Sequence, residues 1–161
     1  MSVQLATGTL PWPWIDPDKA LPWVGKRIGL ALAESQIAAI RLALMAKVLV
    51  MTGGPGVGKT TIVKAILRIL GAKGISLLVC APTGRAAKRM TEASGFEAKT
   101  IHRLLEVDPR SGGFKRGEDN RLDCDLLVID ETSMVDVMPI QAPTRRTWPE
   151  NRKHMPATVL R

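Results

Sequence analysis

Gly53-Gly54-Pro55-Gly56-Val57-Gly58-Lys59-Thr60 matches the phosphate-binding pattern G-x-x-x-x-G-K-[ST] without a mismatch. Glycines at this spacing let the backbone curl until successive N–H groups converge on phosphate oxygens. A helix starting behind them adds its N-terminal dipole to anion binding. Lys59 is placed to reach the β- and γ-phosphates of a nucleoside triphosphate, and Thr60 to offer its hydroxyl to Mg²⁺. The plain alternative is a glycine-rich turn beside a surface lysine. Its flanks argue against that, because 48–51 reads as a buried strand entering the loop and 62–70 as a helix leaving it.

About 70 residues downstream, Asp130-Glu131 directly follows the apolar run Leu126-Leu127-Val128-Ile129. A carboxylate at a strand end can hold Mg²⁺, and a neighbouring one can orient or deprotonate an attacking water. Asp130 is assigned to the metal and Glu131 to the water. Alone the pair reads as an acidic turn; together with the loop it points to hydrolysis rather than nucleotide storage. Gln36 lies 17 residues before the loop, and its amide offers the donor and acceptor that an adenine edge requires. The other reading is a solvated helix glutamine. Ala81-Pro82-Thr83-Gly84-Arg85-Ala86-Ala87-Lys88-Arg89 leaves a second strand as a small-residue turn and enters a basic helix. Thr83 and the first amides of that helix can hold a nucleic-acid phosphate, with Arg85, Lys88 and Arg89 adding charge. A charged helix face is otherwise simply solvated. His102, within Thr100-Ile101-His102-Arg103, has no metal partners spaced to join it.

The elements that must position these groups follow from periodicity. Residues 34–46 form an amphipathic helix, with Ile37, Ile40, Ala43 and Leu44 on one face. Strands are expected at 48–52, 75–81 and 126–129, the last two as unbroken apolar runs covered on both faces. Helices are expected at 62–70, 85–93 and 100–107, and an exposed, mobile loop at 108–121. Asp16-Pro17 reads as a cap and first helical residue, with Lys26, Arg27 and Gly29 closing a short helix. The tryptophans of 1–29 are a conceivable platform for bases, but packing against the neighbouring domain is the better reading. Strands alternating with helices predict a parallel α/β sheet.

Composition sets outer bounds. The 161 residues carry 45% hydrophobic side chains, enough for one core. The net charge of +8 favours a polyanionic partner, yet half of it sits in residues 139–161, where five basic residues face Glu150 alone. Two cysteines, Cys80 and Cys124, suffice neither for a disulfide framework nor for a zinc site, and reduced thiols suit the cytoplasm. The apolar stretch 28–51 is broken by Glu34, Gln36, Arg41 and Lys47, so no membrane span is expected.

In combination these segments resemble the RecD-like DNA helicases of superfamily 1. The pieces that carry the likeness are SQIAAIRLAL (35–44), TGGPGVGKTT (52–61), APTGRAAKRM (81–90), KTIHRLL (99–105) and DLLVIDETSMVD (125–136), over roughly residues 10–138. The resemblance implies a P-loop NTPase with a RecA-like parallel sheet flanked by helices, binding ATP·Mg²⁺ and single-stranded DNA. It implies movement 5′ to 3′ along the strand, driven by ATP turnover. By matching position, Gln36 reads adenine and Gly53, Gly54, Pro55, Gly56, Val57, Gly58, Lys59, Thr60 and Thr61 hold phosphates. Asp130 and Glu131 serve metal and water, and Thr83, Arg85, Lys88 and His102 lie near the DNA track. A small kinase is the competing P-loop enzyme; the Asp130-Glu131 pair and the 81–87 segment speak against it.

The likeness stops near Met138. Pro139, Pro143, Pro149 and Pro156 then fall among Arg, Thr, Asn and His with no amphipathic period. The family's apolar strand ending in a glycine–aspartate–glutamine motif does not follow, nor does its second RecA-like domain with the arginines that complete the site. The switch reads as a frame shift near codon 138. The organisation expected is therefore a Pro/Trp-rich segment (1–29), a partial RecA-like domain incomplete at its C-terminal end (30–138), and a basic, disordered tail (139–161). Strands 48–52 and 126–130 are expected to lack the strand that should lie between them, leaving a marginal domain. Weak ATP binding and little hydrolysis are expected of such a piece, with a non-catalytic nucleotide- or DNA-binding remnant as the alternative.

Overall fold

The computed structural model describes residues 2–6, 8–54, 56–110, 112–116, 120–130 and 157–160. The chain begins with a strand, β1 (Ser2–Ala6), and then forms the expected capped helix, α1 (Pro17–Ile28). The Asp16 carboxylate accepts the Asp18 N–H at 3.0 Å. Gly29, at φ 67°, closes α1 by donating to the Gly25 carbonyl. The helix α2 (Glu34–Met45) leads into β2 (Val48–Thr52), and α3 (Lys59–Gly71) leaves the phosphate loop. Seven residues of α3, from Ile62 to Leu70, are buried, because α1, α2 and α4 (Gly84–Ser94) all pack on it.

Beyond α3 the chain alternates β3 (Leu77–Ala81), α4, β4 (Ala98–Thr100), the short α5 (Ile101–Leu105), β5 (Leu126–Ile129) and β6 (Ala157–Leu160). One sheet has the order β1-β2-β6-β5-β3-β4. Every pairing is parallel except that of β1, which runs antiparallel to β2 at the edge. The apolar β5, buried at all four positions, sits inside the sheet, as an unbroken hydrophobic strand must.

Several sequence expectations need correction. The strand expected to be missing between β2 and β5 is present: β6, from the proline-rich tail, pairs in parallel with both. Its Ala-Thr-Val-Leu run is too short to show a period, yet its backbone supplies the donors and acceptors that both neighbours require. Each buried group left unpaired would cost about 1–3 kcal/mol. The rest of the stretch read as a disordered tail lies outside the described residues, as does Arg161.

The Pro/Trp-rich start is joined to the same sheet and core through β1 and Trp12. Trp12 is buried and donates its Nε1–H to the Leu44 carbonyl at 3.3 Å, so its role is packing. The helix expected over 100–107 is shorter, because Thr100 pairs with β3 and Glu106, at φ 55°, ends it. The loop expected to be mobile at 108–121 contains a fastened turn. Val107 bridges to Phe114, and the Arg116 guanidinium donates to Glu106 Oε1 from Nε (2.9 Å) and Nη2 (2.5 Å).

Candidate nucleotide-binding site

Because β2, β6, β5, β3 and β4 run in parallel, their C-terminal ends share one edge of the sheet, where ligands of open α/β sheets bind. The phosphate loop leaves β2 there, and Asp130 directly follows β5 on the same edge, level with Met51. Val50, Leu160 and Ile129 are in register across β2, β6 and β5. With one strand between them, β2 and β5 stand about 10 Å apart at the backbone.

The loop has the conformation that its glycines permit. Gly56 and Gly58 adopt φ 82° and 77°, left-handed values that a side chain would strain. A Cβ built on Gly54 or Gly56 meets nothing within 4 Å, so the loop presents open backbone on that side. Gly58 caps α3 without a side-chain bond, leaving the first amides of the helix as donors for an anion. The Lys59 ammonium donates to the carbonyl oxygens of Gly53 and, at 3.3 Å, of Gly54. Thr60 is half-buried in the first turn of α3, followed by Thr61. These features fit a triphosphate: room for approach, uncapped amides and a cation held at the mouth of the loop.

Gln36 is drawn into the same site. Its Oε1 accepts the Ala33 N–H at 3.0 Å, and its Nε2 lies where a Cβ on Gly58 would stand. The glutamine helix and the phosphate loop are therefore in direct contact. Asp130 is one of only two buried polar or charged residues among those described, and its N–H extends the β3–β5 ladder by donating to the Cys80 carbonyl at 2.9 Å. Burial, with the nearby Cys124 and Asp130, pushes the Cys80 thiol up to about 12. Pro55 and Glu131 lie outside the described residues. The donor set of Thr60 and Asp130, a hydroxyl and a carboxylate, is oxygen-only and suits Mg²⁺.

The nucleic-acid candidates gather next to this group. Thr83 caps α4, its Oγ1 accepting the Ala86 N–H at 3.2 Å, and Thr100 caps α5 in the same way through Arg103 N–H. Ala81 and Thr100 are register partners, so both turns open on the edge that carries the loop. Arg85, Lys88 and Arg89 are exposed on α4, with Lys88 4.0 Å from Glu92. His102 is exposed, its ring 5.9 Å from that of Phe114. Sequence reasoning missed Phe114, since the pairing that brings it to His102 crosses an irregular, charged stretch.

Comparison with known proteins gives the family of the chain. Residues 36–154 match the family AAA_19, described as an AAA domain. The chain is similar to the ATP-dependent RecD2 DNA helicase of Deinococcus radiodurans, 38% identical over 112 residues (70% of this chain, 15% of that protein). It is 36% identical over 160 residues to the RecBCD enzyme subunit RecD of Mycolicibacterium smegmatis (84% of this chain, 29% of that protein). To the ATP-dependent DNA helicase dda of Enterobacteria phage T4 it is 36% identical over 92 residues (53% of this chain, 21% of that protein). The chain thus spans less than a third of the length of each of these relatives.

Proposed function

This chain belongs to the AAA domain family, and on that premise we propose that it is the ATP-binding part of a RecD-like helicase motor acting on single-stranded DNA. The observation that supports this most directly is that the phosphate loop and Asp130 leave the same edge of the sheet from β2 and β5, with only β6 between them. In this reading the backbone N–H groups of the loop over 53–61, Pro55 apart, bind the phosphate oxygens. Lys59 exchanges its bonds to the neutral Gly53 and Gly54 carbonyls for stronger bonds to the anionic β- and γ-phosphates. Thr60 and Asp130 would hold Mg²⁺, which neutralises the charge developing on the transferred phosphoryl group. Glu131 orients the attacking water, and Gln36 reads the adenine edge from its seat on Gly58. Thr83, Arg85, Lys88 and His102 contact the DNA strand, and turnover drives movement 5′ to 3′.

Among the described residues no helix is long and apolar enough to cross a membrane, and a motor of the proposed kind would work in the cytoplasm. Phosphate release by the chain, with and without single-stranded DNA, tests the proposal alongside Lys59→Ala. Release that DNA stimulates and Lys59→Ala abolishes is the expected outcome. Nucleotide binding without release would replace it by a non-catalytic binding module.

A further inference from the structure

The end of α3 remote from the phosphate loop carries a recess that nucleotide chemistry does not use. Helix α3 runs back from the loop and ends there, crossed by α1. Between them lies a cavity of about 370 Å³, within the range of pockets that take a small ligand or an anchoring side chain. Ile15, Ala20 and Ile69 line it with apolar surface, Trp23 forms a wall, and Lys19 and Lys73 stand at the rim. The Trp23 side chain is 38% exposed, and the Arg27 guanidinium covers one face of its ring at 5.3 Å.

Two lysines thus line an apolar recess, and Arg27 lies beside it on the Trp23 ring. Asp16, the single carboxylate lining it, is already engaged: Oδ1 caps α1, and Oδ2 lies 3.7 Å from Lys19 Nζ. Among the described residues no carboxylate pairs with Lys73. An apolar floor with an unbalanced positive rim is complementary to one kind of partner.

We propose that this recess docks an acidic protein segment, which seats one bulky apolar side chain against Trp23 and meets Lys19 and Lys73 with its carboxylates. A DNA strand fits less well. The recess admits one group rather than a succession of bases, one face of Trp23 is already taken, and the turns assigned to DNA open on the edge that carries the phosphate loop.

Fluorescence anisotropy on the whole chain tests this, with a labelled peptide of six aspartates followed by leucine and phenylalanine. Saturable binding is expected. Lys73→Glu should weaken it about tenfold or more (1.4 kcal/mol for each factor of ten). Replacing the two apolar residues of the peptide by serine should do the same. Lys73 is exposed, so this variant keeps the fold, which an unchanged melting temperature verifies, and nucleotide affinity should not move. Three outcomes would each overturn the proposal: no binding, equal affinity of Lys73→Glu, or equal affinity of the serine peptide. Tighter binding of oligo-dT that Lys73→Glu also abolishes would overturn it in favour of nucleic acid.

Discussion

Gly58 has two separate reasons to be glycine. Its φ of 77° disfavours any side chain, and a Cβ there would run into the Gln36 amide. Gly58→Ala should therefore cost about 1–3 kcal/mol of stability through backbone strain. It should also lower nucleotide affinity by about tenfold or more, since the displaced glutamine and the loop shift together. Combining it with Gln36→Ala removes the collision but not the strain. Isothermal titration of the three variants should thus give non-additive losses, and additive ones would show that the two residues act independently. Cys80 makes a different prediction. Its thiol is raised from 9.0 to about 12, chiefly by burial. The unfolded thiol ionises first, so stability is unaffected below about pH 9 and falls as the pH rises from there towards 12. Urea midpoints across that range should show the decline in the native chain and a smaller one in Cys80→Ala.

Among the elements, the turn over 106–116 is held by charge. The Arg116 hydrogen bond and its positive charge hold the Glu106 carboxyl below its usual range. A folded carboxyl with a depressed pKa stabilises above the unfolded value and loses that contribution as the pH falls through the folded one. The amides of Lys115 and Arg116, bonded to the Glu106 and Leu105 carbonyls, report on the turn. Their hydrogen exchange should accelerate relative to Glu106→Gln as the pH drops below the carboxylate range, while the variant shows open-turn behaviour throughout. This turn was illegible in the sequence, because glycines and charges between Asp108 and Arg121 read as solvent-exposed loop. The elements around the phosphate loop were legible for the opposite reason. β2 and α3 declare themselves by local runs of apolar residues, and α1 by the Asp16-Pro17 start and Gly29 stop.

At the scale of the whole molecule, β6 joins the two halves of the candidate site. Sequence reasoning missed it because its pairing is remote: Leu160 lies opposite Val50 and Ile129, and four residues after Pro156 carry no periodic signal of their own. The same remoteness makes its removal costly. Val159→Pro would delete a backbone donor inside the sheet, at about 3 kcal/mol or more. It should broaden or abolish the thermal transition, and nucleotide binding should be lost with it. A cooperative melt is expected of the unsubstituted chain, and one unchanged by Val159→Pro would show that β6 contributes little.

This late-arriving central strand also sets an order of events on the ribosome. Residues up to 130 can emerge, form helices and pair β3 with β5, but the cradle and its acidic partner cannot take their final spacing until 157–160 follow. At roughly 5–20 residues per second that wait lasts a few seconds. During it the nascent chain presents two unpaired strand edges, so chaperone dependence during synthesis should exceed that of the finished protein on refolding.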